Sequence, residues 1–132
     1  MVNLLKGKKA LGVCIKDLDI LRKLKNEGYE IYLVTESLQE IITFQSSNYN
    51  KVYYFLDDYN SISFKNESFD IAILINNNCT MVEKYIKKLY SFLKKEGILY
   101  ILNFKNENKI EAKKMFKDIK EDSKEKILIC EK

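Results

Sequence analysis

The sequence lacks histidine, tryptophan and proline, and it has only three cysteines among 132 residues. Without histidine, the commonest general base and the commonest metal ligand are both missing. The cysteines Cys14, Cys79 and Cys130 are far apart and odd in number, which argues against a CxxC metal site and against a disulfide framework. We therefore expect reduced, unreactive thiols in a cytoplasmic protein that holds no metal.

Long apolar runs are also missing from the sequence. No run reaches the ~18 residues that a membrane helix needs, and the start, MVNLLKGKKALG, lacks the long apolar core of a signal peptide. Hydrophobic residues nevertheless make up 46% of the chain, which is enough to build a packed core. We expect one globular domain over residues 1–132, with no membrane segment.

The net charge of +4 is unevenly distributed along the chain. Residues 1–25 carry seven basic and two acidic side chains, whereas residues 26–78 carry two basic and eight acidic ones. A domain built to bind nucleic acid would present a more uniform positive charge. We interpret the lysines as a solvated surface and expect no nucleic-acid partner.

Short apolar runs alternate with stretches of helical periodicity. Six strands are predicted, in KALGVCI, EIYLVT, KVYYFL, FDIAILI, ILYILNF and EKILICE. The helices predicted between them are KDLDILRKLKNEG, ending at Gly28, SLQEIITFQSS, TMVEKYIKKLYSFLKKEG, ending at Gly97, and a lysine-rich helix from Glu107 to about Glu121. In the third helix, Val82, Ile86, Leu89 and Leu93 form the predicted buried stripe.

This alternation predicts a Rossmann-like α/β sandwich, with a mostly parallel sheet of about six strands covered by helices on both faces. In such a sheet, ligands bind beyond the carboxyl ends of the strands. The candidate binding residues are therefore those that follow each strand. They are Cys14 to Asp17, Glu36, Asp57 with Asp58, and Asn76 to Asn78.

At these residues the chain resembles the class I S-adenosylmethionine-dependent methyltransferases, in particular the small type 11 domains. The resemblance covers about residues 5–104. It is carried in order by LLKGKKALGVC, LRKLKNEGYEIYLVTES, DDYNSISFKNESFDIAILINN and YIKKLYSFLKKEGILYIL. The resemblance implies a truncated methyltransferase fold with S-adenosylmethionine as the cofactor, although a fold by itself does not establish an activity.

The glycine-rich first motif of that family is degenerate here. The family has an acidic-x-Gly-x-Gly-x-Gly turn, whose glycines let the backbone pass close to the methionine part of the cofactor. This chain keeps Gly12, but Cys14, Ile15 and Lys16 follow in place of glycines, and the acidic residue expected near Ala10 is missing. We expect the Cβ of Ile15 to bar a positive φ and to occupy the space above the turn.

Other family positions are retained, each with a structural alternative. The resemblance assigns the ribose hydroxyls to Glu36 and the adenine amino group to Asp58, next to Asp57. Glu36 also suits a first-turn acid favoured by a helix dipole, and Asp58 suits a turn. Asn76 and Asn77 match substrate-facing positions of the family, but asparagines are also common in loops.

We carry three functional hypotheses forward. The preferred one is a degenerate, non-catalytic methyltransferase-fold protein, a pseudoenzyme that serves as a binding module or partner subunit. The second is an active small methyltransferase with an atypical cofactor loop. The third is a Rossmann-like module for another nucleotide or metabolite, with Lys16 near a phosphate. No catalytic residue is singled out, because Asp, Glu, Lys and Tyr are the only base candidates.

The edges of the predicted sheet indicate a partner. The family closes its sheet with an antiparallel hairpin, but only EKILICE is predicted beside the fifth strand, so that edge is expected to be incomplete. The opposite edge strand, KVYYFL, is aromatic and carries little charge. Open strand edges pair readily with other chains, so we expect a homo-oligomer or a protein partner.

Overall fold

A computed structural model describes residues 8–15, 18–45, 52–56, 64–76 and 82–132. The strands are β1 (Lys8–Val13), β2 (Tyr29–Thr35), β3 (Val52–Leu56), β4 (Phe69–Ile75), β5 (Leu93–Leu102), β6 (Asp118–Asp122) and β7 (Ile127–Glu131). The helices are α1 (Leu18–Asn26), α2 (Leu38–Gln45), α3 (Val82–Phe92) and α4 (Asn106–Lys113). Each of the six predicted strands and four predicted helices has a counterpart, although several boundaries differ.

The described strands form a single sheet in the order β3-β2-β1-β4-β5-β7-β6. Strands β1 to β5 run parallel, and β7 lies antiparallel between β5 and β6. The predicted Rossmann-like α/β class is therefore confirmed. The order reverses between β1 and β4, and such a switch point is where sheets of this kind bind ligands.

The two faces of the sheet pack separate hydrophobic cores, because successive side chains of a strand point to opposite faces. Leu11 belongs to the core beneath α3 and α4, whereas Ala10 and Leu24 belong to the core beneath α1. We call these faces the α3 face and the α1 face. Ala10 and Leu11 are both fully buried, so β1 is the central strand of both cores.

Helix α3 buries the stripe that its spacing predicts. Val82, Ile86, Leu89 and Leu93 are all buried, and Tyr85 joins them with no exposed surface. Fully burying one aliphatic side chain contributes about 1.5–3 kcal/mol. This stripe is therefore a main source of stability on the α3 face.

The end of α3 differs from the prediction. The helix ends at Phe92, five residues before Gly97, because Leu93 already pairs with Phe69 of β4. The backbone N–H of Ser68 donates to the Phe92 carbonyl over 2.9 Å and fixes this junction. The predicted continuation of the helix to Gly97 is wrong, since pairing with β4 overrides the helix-forming residues 93–96.

The lysine-rich helix predicted for residues 107–121 is also shorter than expected. Helix α4 ends at Lys113, and the N–H of Phe116 donates to the Ala112 carbonyl over 2.9 Å as the chain turns. The turn buries Phe116, whose ring meets Tyr90 edge to face at 5.1 Å. The chain then forms β6, a strand that the sequence did not predict.

Strand β6 completes the antiparallel hairpin beside β5, so the prediction of an incomplete edge is wrong. Its exposed charged side chains also protect this edge from pairing with another chain. They are Asp118, Lys120, Glu121 and Asp122. Strand β3 forms the opposite edge. Among its residues the structure describes the side chain of Tyr53, which is exposed.

An aromatic cluster on the α3 face centres on Tyr32. Its ring stacks on Tyr53 at 4.9 Å and meets Phe69 edge to face at 5.3 Å. The Tyr32 hydroxyl donates to the Glu30 carboxylate over 2.6 Å. This hydrogen bond, followed by burial, raises the pKa of Tyr32 from 10.0 to about 12.

We predict that Glu30→Gln lowers the pKa of Tyr32 towards 10, because the amide is a weaker acceptor and carries no charge. Between pH 10 and 12 the unfolded chain loses the tyrosine proton while the folded chain keeps it, so stability falls as pH rises through this window. Tyrosinate absorbance and urea unfolding at several pH values measure both effects. The exposed Glu125→Gln is the control, and an unchanged titration in Glu30→Gln would contradict the assignment.

Candidate functional site

The carboxyl ends of β1, β2 and β4 meet at one edge of the sheet. Val13 of β1 pairs with Val34 of β2 on one side and with Leu74 of β4 on the other. The predicted residues Gly12, Cys14, Ile15, Glu36 and Asn76 therefore lie within one or two positions of these neighbouring ends. Six other predicted residues lie outside the described residues, so their assignments stay predictions: Lys16, Asp17, Asp57, Asp58, Asn77 and Asn78.

Cys14 forms the bend at the end of β1. Its φ is 58°, in the left-handed region that glycine favours, and its N–H donates to the Val34 carbonyl over 2.8 Å. Its side chain is 1% exposed. A residue with a Cβ gives up roughly 1–2 kcal/mol in this conformation. Cys14, two positions after Gly12, thus has a backbone conformation typical of glycine although it carries a side chain.

The backbone conformation and the environment of Ile15 differ from the prediction. We expected its Cβ to bar the left-handed bend and its side chain to occupy the space above the turn. The bend is instead made one residue earlier, at Cys14, and Ile15 is 2% exposed in the core of the α1 face, together with Leu24 and Ile75. Ile15 therefore completes the core at the end of the sheet.

The side chain of Ile15 covers the α-carbon of Gly12. A Cβ placed on Gly12 would lie 2.4 Å from Cδ1 of Ile15 and 2.9 Å from Cδ2 of Leu33. Real Cβ atoms do not approach carbon this closely, so a side chain at this position would require the ends of the Ile15 and Leu33 side chains to shift. Gly12 is thus used for core packing, and the free space beside it is filled by Ile15.

Glu36 and Asn76 are half-buried residues that directly follow β2 and β4. Thr35, buried to 3% exposure, orients the chain beside Glu36, because its Oγ1 accepts the N–H of Ser37 over 3.2 Å. Helix α2 begins at Leu38, so Glu36 stands just before a helix N-terminus. Both predicted roles of Glu36, a ribose acceptor and an acid favoured by a helix dipole, are compatible with this place.

Asp70 has a structural role in the described fold. Its Oδ2 accepts the N–H of Lys9 over 2.8 Å, and its Oδ1 lies 3.2 Å from Nζ of Lys94. These contacts tie β4 to β1 and to the start of β5. We assign no chemistry to this carboxylate.

The cysteines depart in part from the sequence prediction. Cys130 is a free, buried thiol, and burial raises its pKa to about 12, so it is unreactive. Cys14 is disulfide-bonded, so the prediction of reduced thiols is wrong at this residue. The remaining cysteine, Cys79, lies outside the described residues. A lone cysteine at the end of β1 gave no sequence signal for a disulfide.

In the described ranges, no group of three or more Cys, Asp and Glu side chains is arranged to hold a metal ion. None of the helices in these ranges is long and apolar enough to cross a membrane.

We predict that Gly12→Ala destabilises the protein by about 1–3 kcal/mol, through overpacking against Ile15. Ile15→Val removes Cδ1 and alone costs about 0.5–1.5 kcal/mol. The double variant should cost less than the sum of the two, because the valine makes room for the new methyl group. Urea unfolding of all four proteins measures the coupling.

The matched control for this cycle is Gly28→Ala. Gly28 has a φ of 88° and no neighbouring atom within 4 Å of an added Cβ. The substitution strains the backbone by roughly 1–2 kcal/mol without touching Ile15, so its effect should add to that of Ile15→Val. Simple additivity in the Gly12 cycle as well would contradict the packing of Ile15 over Gly12.

The state of Cys14 predicts the number of reactive thiols. Denatured in the absence of reductant, the chain should be alkylated at Cys130 but not at Cys14, and after reduction at both. Intact-mass spectrometry counts the labels. Three labels without reductant, in protein purified under air with no reductant added, would contradict the disulfide at Cys14.

Comparison with known proteins assigns this chain to a family. A family model described as a methyltransferase domain matches residues 18–101, which is more than half of the chain. No curated protein matches the sequence.

Three solved structures illustrate the likeness in fold. An S-adenosylmethionine-dependent methyltransferase from Aquifex aeolicus is 14% identical with a TM-score of 0.70, over 98% of this chain and 84% of that one. Haemonchus contortus phosphoethanolamine N-methyltransferase 2, in complex with phosphomonomethylethanolamine and S-adenosylhomocysteine, is 18% identical with a TM-score of 0.70, over 86% and 34%.

The third is a chain from the complex between the Haloferax volcanii methyltransferase activator Trm112 and a methyltransferase. It is 14% identical with a TM-score of 0.63, over 72% of this chain and 44% of that chain. This chain therefore spans less than half the length of two of the three structures. The family match and the shared fold together show that the chain belongs to the methyltransferase domain family, within the class I S-adenosylmethionine-dependent methyltransferases.

Proposed function

We propose that the chain is a non-catalytic methyltransferase-fold protein that acts as a binding module or partner subunit. The observation that carries the proposal is the turn after β1, where Cys14 and Ile15 are buried to 1% and 2% exposure. In the family that the chain resembles, glycines at this turn let the methionine part of the cofactor approach the backbone. Here side chains complete the protein core at the same place.

The packing beside Gly12 supports this proposal. Cδ1 of Ile15 lies 2.4 Å from where a Cβ on Gly12 would lie. The disulfide at Cys14 further fixes the turn. We propose that a turn filled in this way does not hold the methionine part of S-adenosylmethionine, and we derive no reaction step through it.

The chain also lacks, among its described residues, an acidic group for the amino group of the cofactor. Ala10 and Leu11 stand where the family has an acidic residue for the cofactor's amino group, and both are fully buried and apolar. Methyl transfer depends mainly on holding two reactants in line. Among the described residues at this edge, Glu36 is the carboxylate that could bind the ribose of a cofactor. None of the described residues offers a carboxylate to the methionine end.

A partner role has a precedent among the similar structures. The Haloferax volcanii structure is a complex of a methyltransferase with an activator protein, so a chain of this fold occurs in a two-protein assembly. We extend only that arrangement to the present chain and propose that it works through contact with another protein chain.

The second candidate is an active small methyltransferase with an atypical loop. The left-handed φ of Cys14 favours it, because the backbone keeps a glycine-type bend after Gly12. The place of Glu36 after β2 favours it as well. The third hypothesis, a module for another nucleotide, rests on Lys16, which lies outside the described residues and therefore stays a prediction.

Calorimetry with S-adenosylhomocysteine separates these functions. We predict no saturable heat up to millimolar ligand and no shift of the thermal midpoint. A ligand at 100 times its Kd would stabilise the fold by about 2.7 kcal/mol, which a melting experiment detects easily. A micromolar Kd that is weakened at least tenfold by Glu36→Gln would contradict the non-catalytic proposal and establish the second candidate.

A further inference from the structure

Strand β3 is an edge of the sheet, and exposed apolar side chains surround it. Among the described strands it pairs with β2 alone, so its outer side presents backbone N–H and C=O groups that can pair with a further strand. Of the four large hydrophobic side chains that are exposed among the described residues, three lie on β3 or on the neighbouring helix α2. They are Leu38 at 59%, Ile42 at 52% and Tyr53 at 43% exposure. Such a concentration of exposed apolar surface marks an interaction site.

The exposed side chains lie on both faces of this edge. Helix α2 packs against β2 and β3. The steps from β1 to β2 and from β2 to β3 go in the same direction along the sheet, and right-handed crossovers of this kind place their helices on the same face. Leu38 and Ile42 of α2 are therefore on the α1 face. Tyr53 is on the α3 face, where its ring stacks on Tyr32.

Leu38 and Ile42 are on the flank of α2 that is turned outward, past β3. Ile41 is 9% exposed and faces the sheet, and in a right-handed crossover the residue that follows the buried one is turned towards the next strand. Leu38, four residues before Ile42, shares its flank. Helix α1 shows the same geometry, because Lys23 precedes the buried Leu24 and lies on the opposite flank, towards β4.

We infer that the β3 edge is a dimer interface, in which β3 pairs antiparallel with β3 of a second copy about a two-fold axis perpendicular to the sheet. Such an interface is self-complementary, because both copies use the same patch. The axis keeps each face of the sheet on its own side. The two sheets join into one, and each β3 supplies the hydrogen-bonding groups that the other edge needs.

The position of α2 favours a second copy over a lone strand as the occupant of this edge. Helix α2 covers the space between β2 and β3, which is one strand spacing from the line between the two β3 strands. Neighbouring strands are about 4.8 Å apart, so the two α2 helices lie about 10 Å apart across that line. Packed helices have axes about 8–10 Å apart. The flanks that carry Leu38 and Ile42 therefore meet, whereas a lone strand brings no helix to cover them.

The charges of the sequence around β3 also match a second copy. The strand sequence VYYFL has no charged residue, so two copies pair without like-charge repulsion. Strand β6 at the opposite edge holds four charged residues in five, which oppose such pairing.

The residues next to β3 in the sequence specify the register. Lys51 directly precedes the strand and Asp57 directly follows it, and both lie outside the described residues, so their pairing is part of the inference. When Tyr54 is opposite its own copy at the axis, all five residues of β3 pair. Position 51 of one copy is then opposite position 57 of the other. This register sets a lysine against an aspartate, and the symmetry repeats the contact.

Sedimentation equilibrium of the wild-type chain and two variants tests the dimer. We expect a dimer at micromolar concentration, and a dissociation constant at least tenfold higher for Ile42→Glu and for Tyr53→Lys, which change the two faces of the edge. The matched control is Ile110→Glu, since Ile110 is 53% exposed on α4, away from β3, and its substitution should leave the dimer unchanged. Circular dichroism checks that each variant folds, and Leu38→Glu replaces Ile42→Glu if the latter does not.

A charge exchange tests the antiparallel register. Lys51→Glu and Asp57→Lys should each weaken the dimer at least tenfold at low salt, because each sets like charges opposite one another at both contacts. Mixing the two variants should give a heterodimer of near wild-type affinity, because both of its contacts again join opposite charges. The difference between each variant and the wild type should vanish in 1 M salt, as screening requires.

Three outcomes would overturn the inference. One is a wild-type chain that stays monomeric at high concentration, including a monomer that binds a strand of a different protein. Another is a dimer whose dissociation constant is unchanged by Ile42→Glu or by Tyr53→Lys. The last is a mixture of the two charge variants that does not recover. The inference does not depend on the proposed function, because binding of S-adenosylhomocysteine at the turn after β1 would leave these measurements unchanged.

Discussion

The packing of Ile15 over the bare α-carbon of Gly12 is the contact on which the functional end of this molecule depends. Cδ1 of Ile15 occupies the place of a Gly12 side chain, and the left-handed bend at Cys14 turns the chain so that Ile15 reaches it. The N–H of Cys14 stays bonded to the Val34 carbonyl over 2.8 Å. The end of β1 is thus hydrogen-bonded to β2 and covered by side chains of the core.

This contact distinguishes the turn after β1 from the glycine-rich turn of the family that the chain resembles. The sheet order, the position of Glu36 after β2 and the place of Asn76 after β4 are those of a methyltransferase-like edge. The turn between them is built from buried side chains, where the family has a bare backbone. A fold is maintained by its cores, whereas an activity needs a few positions to stay open, and at this turn Cys14 and Ile15 belong to the cores.

The sequence predicted the parts of the fold that depend on periodicity. Strand β4 was placed to the residue, and Val82, Ile86 and Leu89 of the buried stripe of α3 were identified, because each element has a regular pattern of apolar residues. Tyr85 and Phe92, which are also buried, were missed. Strand β6 was missed, since DIKED has charged residues on both faces and a low intrinsic strand preference. The ends of α3 and α4 were placed too late, because pairing of Leu93 with Phe69 and burial of Phe116 are contacts distant in sequence.

The candidate site was harder to predict than the fold. Sequence analysis found the turn at residues 12–15 but expected Ile15 to bar a left-handed bend there, and did not foresee the bend at Cys14, because a left-handed cysteine and its disulfide leave no local signal.

The central claim is that buried side chains fill the turn after β1. Amide NMR spectra recorded during a titration with S-adenosylhomocysteine test it at the residues concerned. The account predicts that the signals of Gly12, Cys14, Ile15 and Glu36 keep their positions up to millimolar ligand. Saturable shifts of these four signals at micromolar ligand would contradict it.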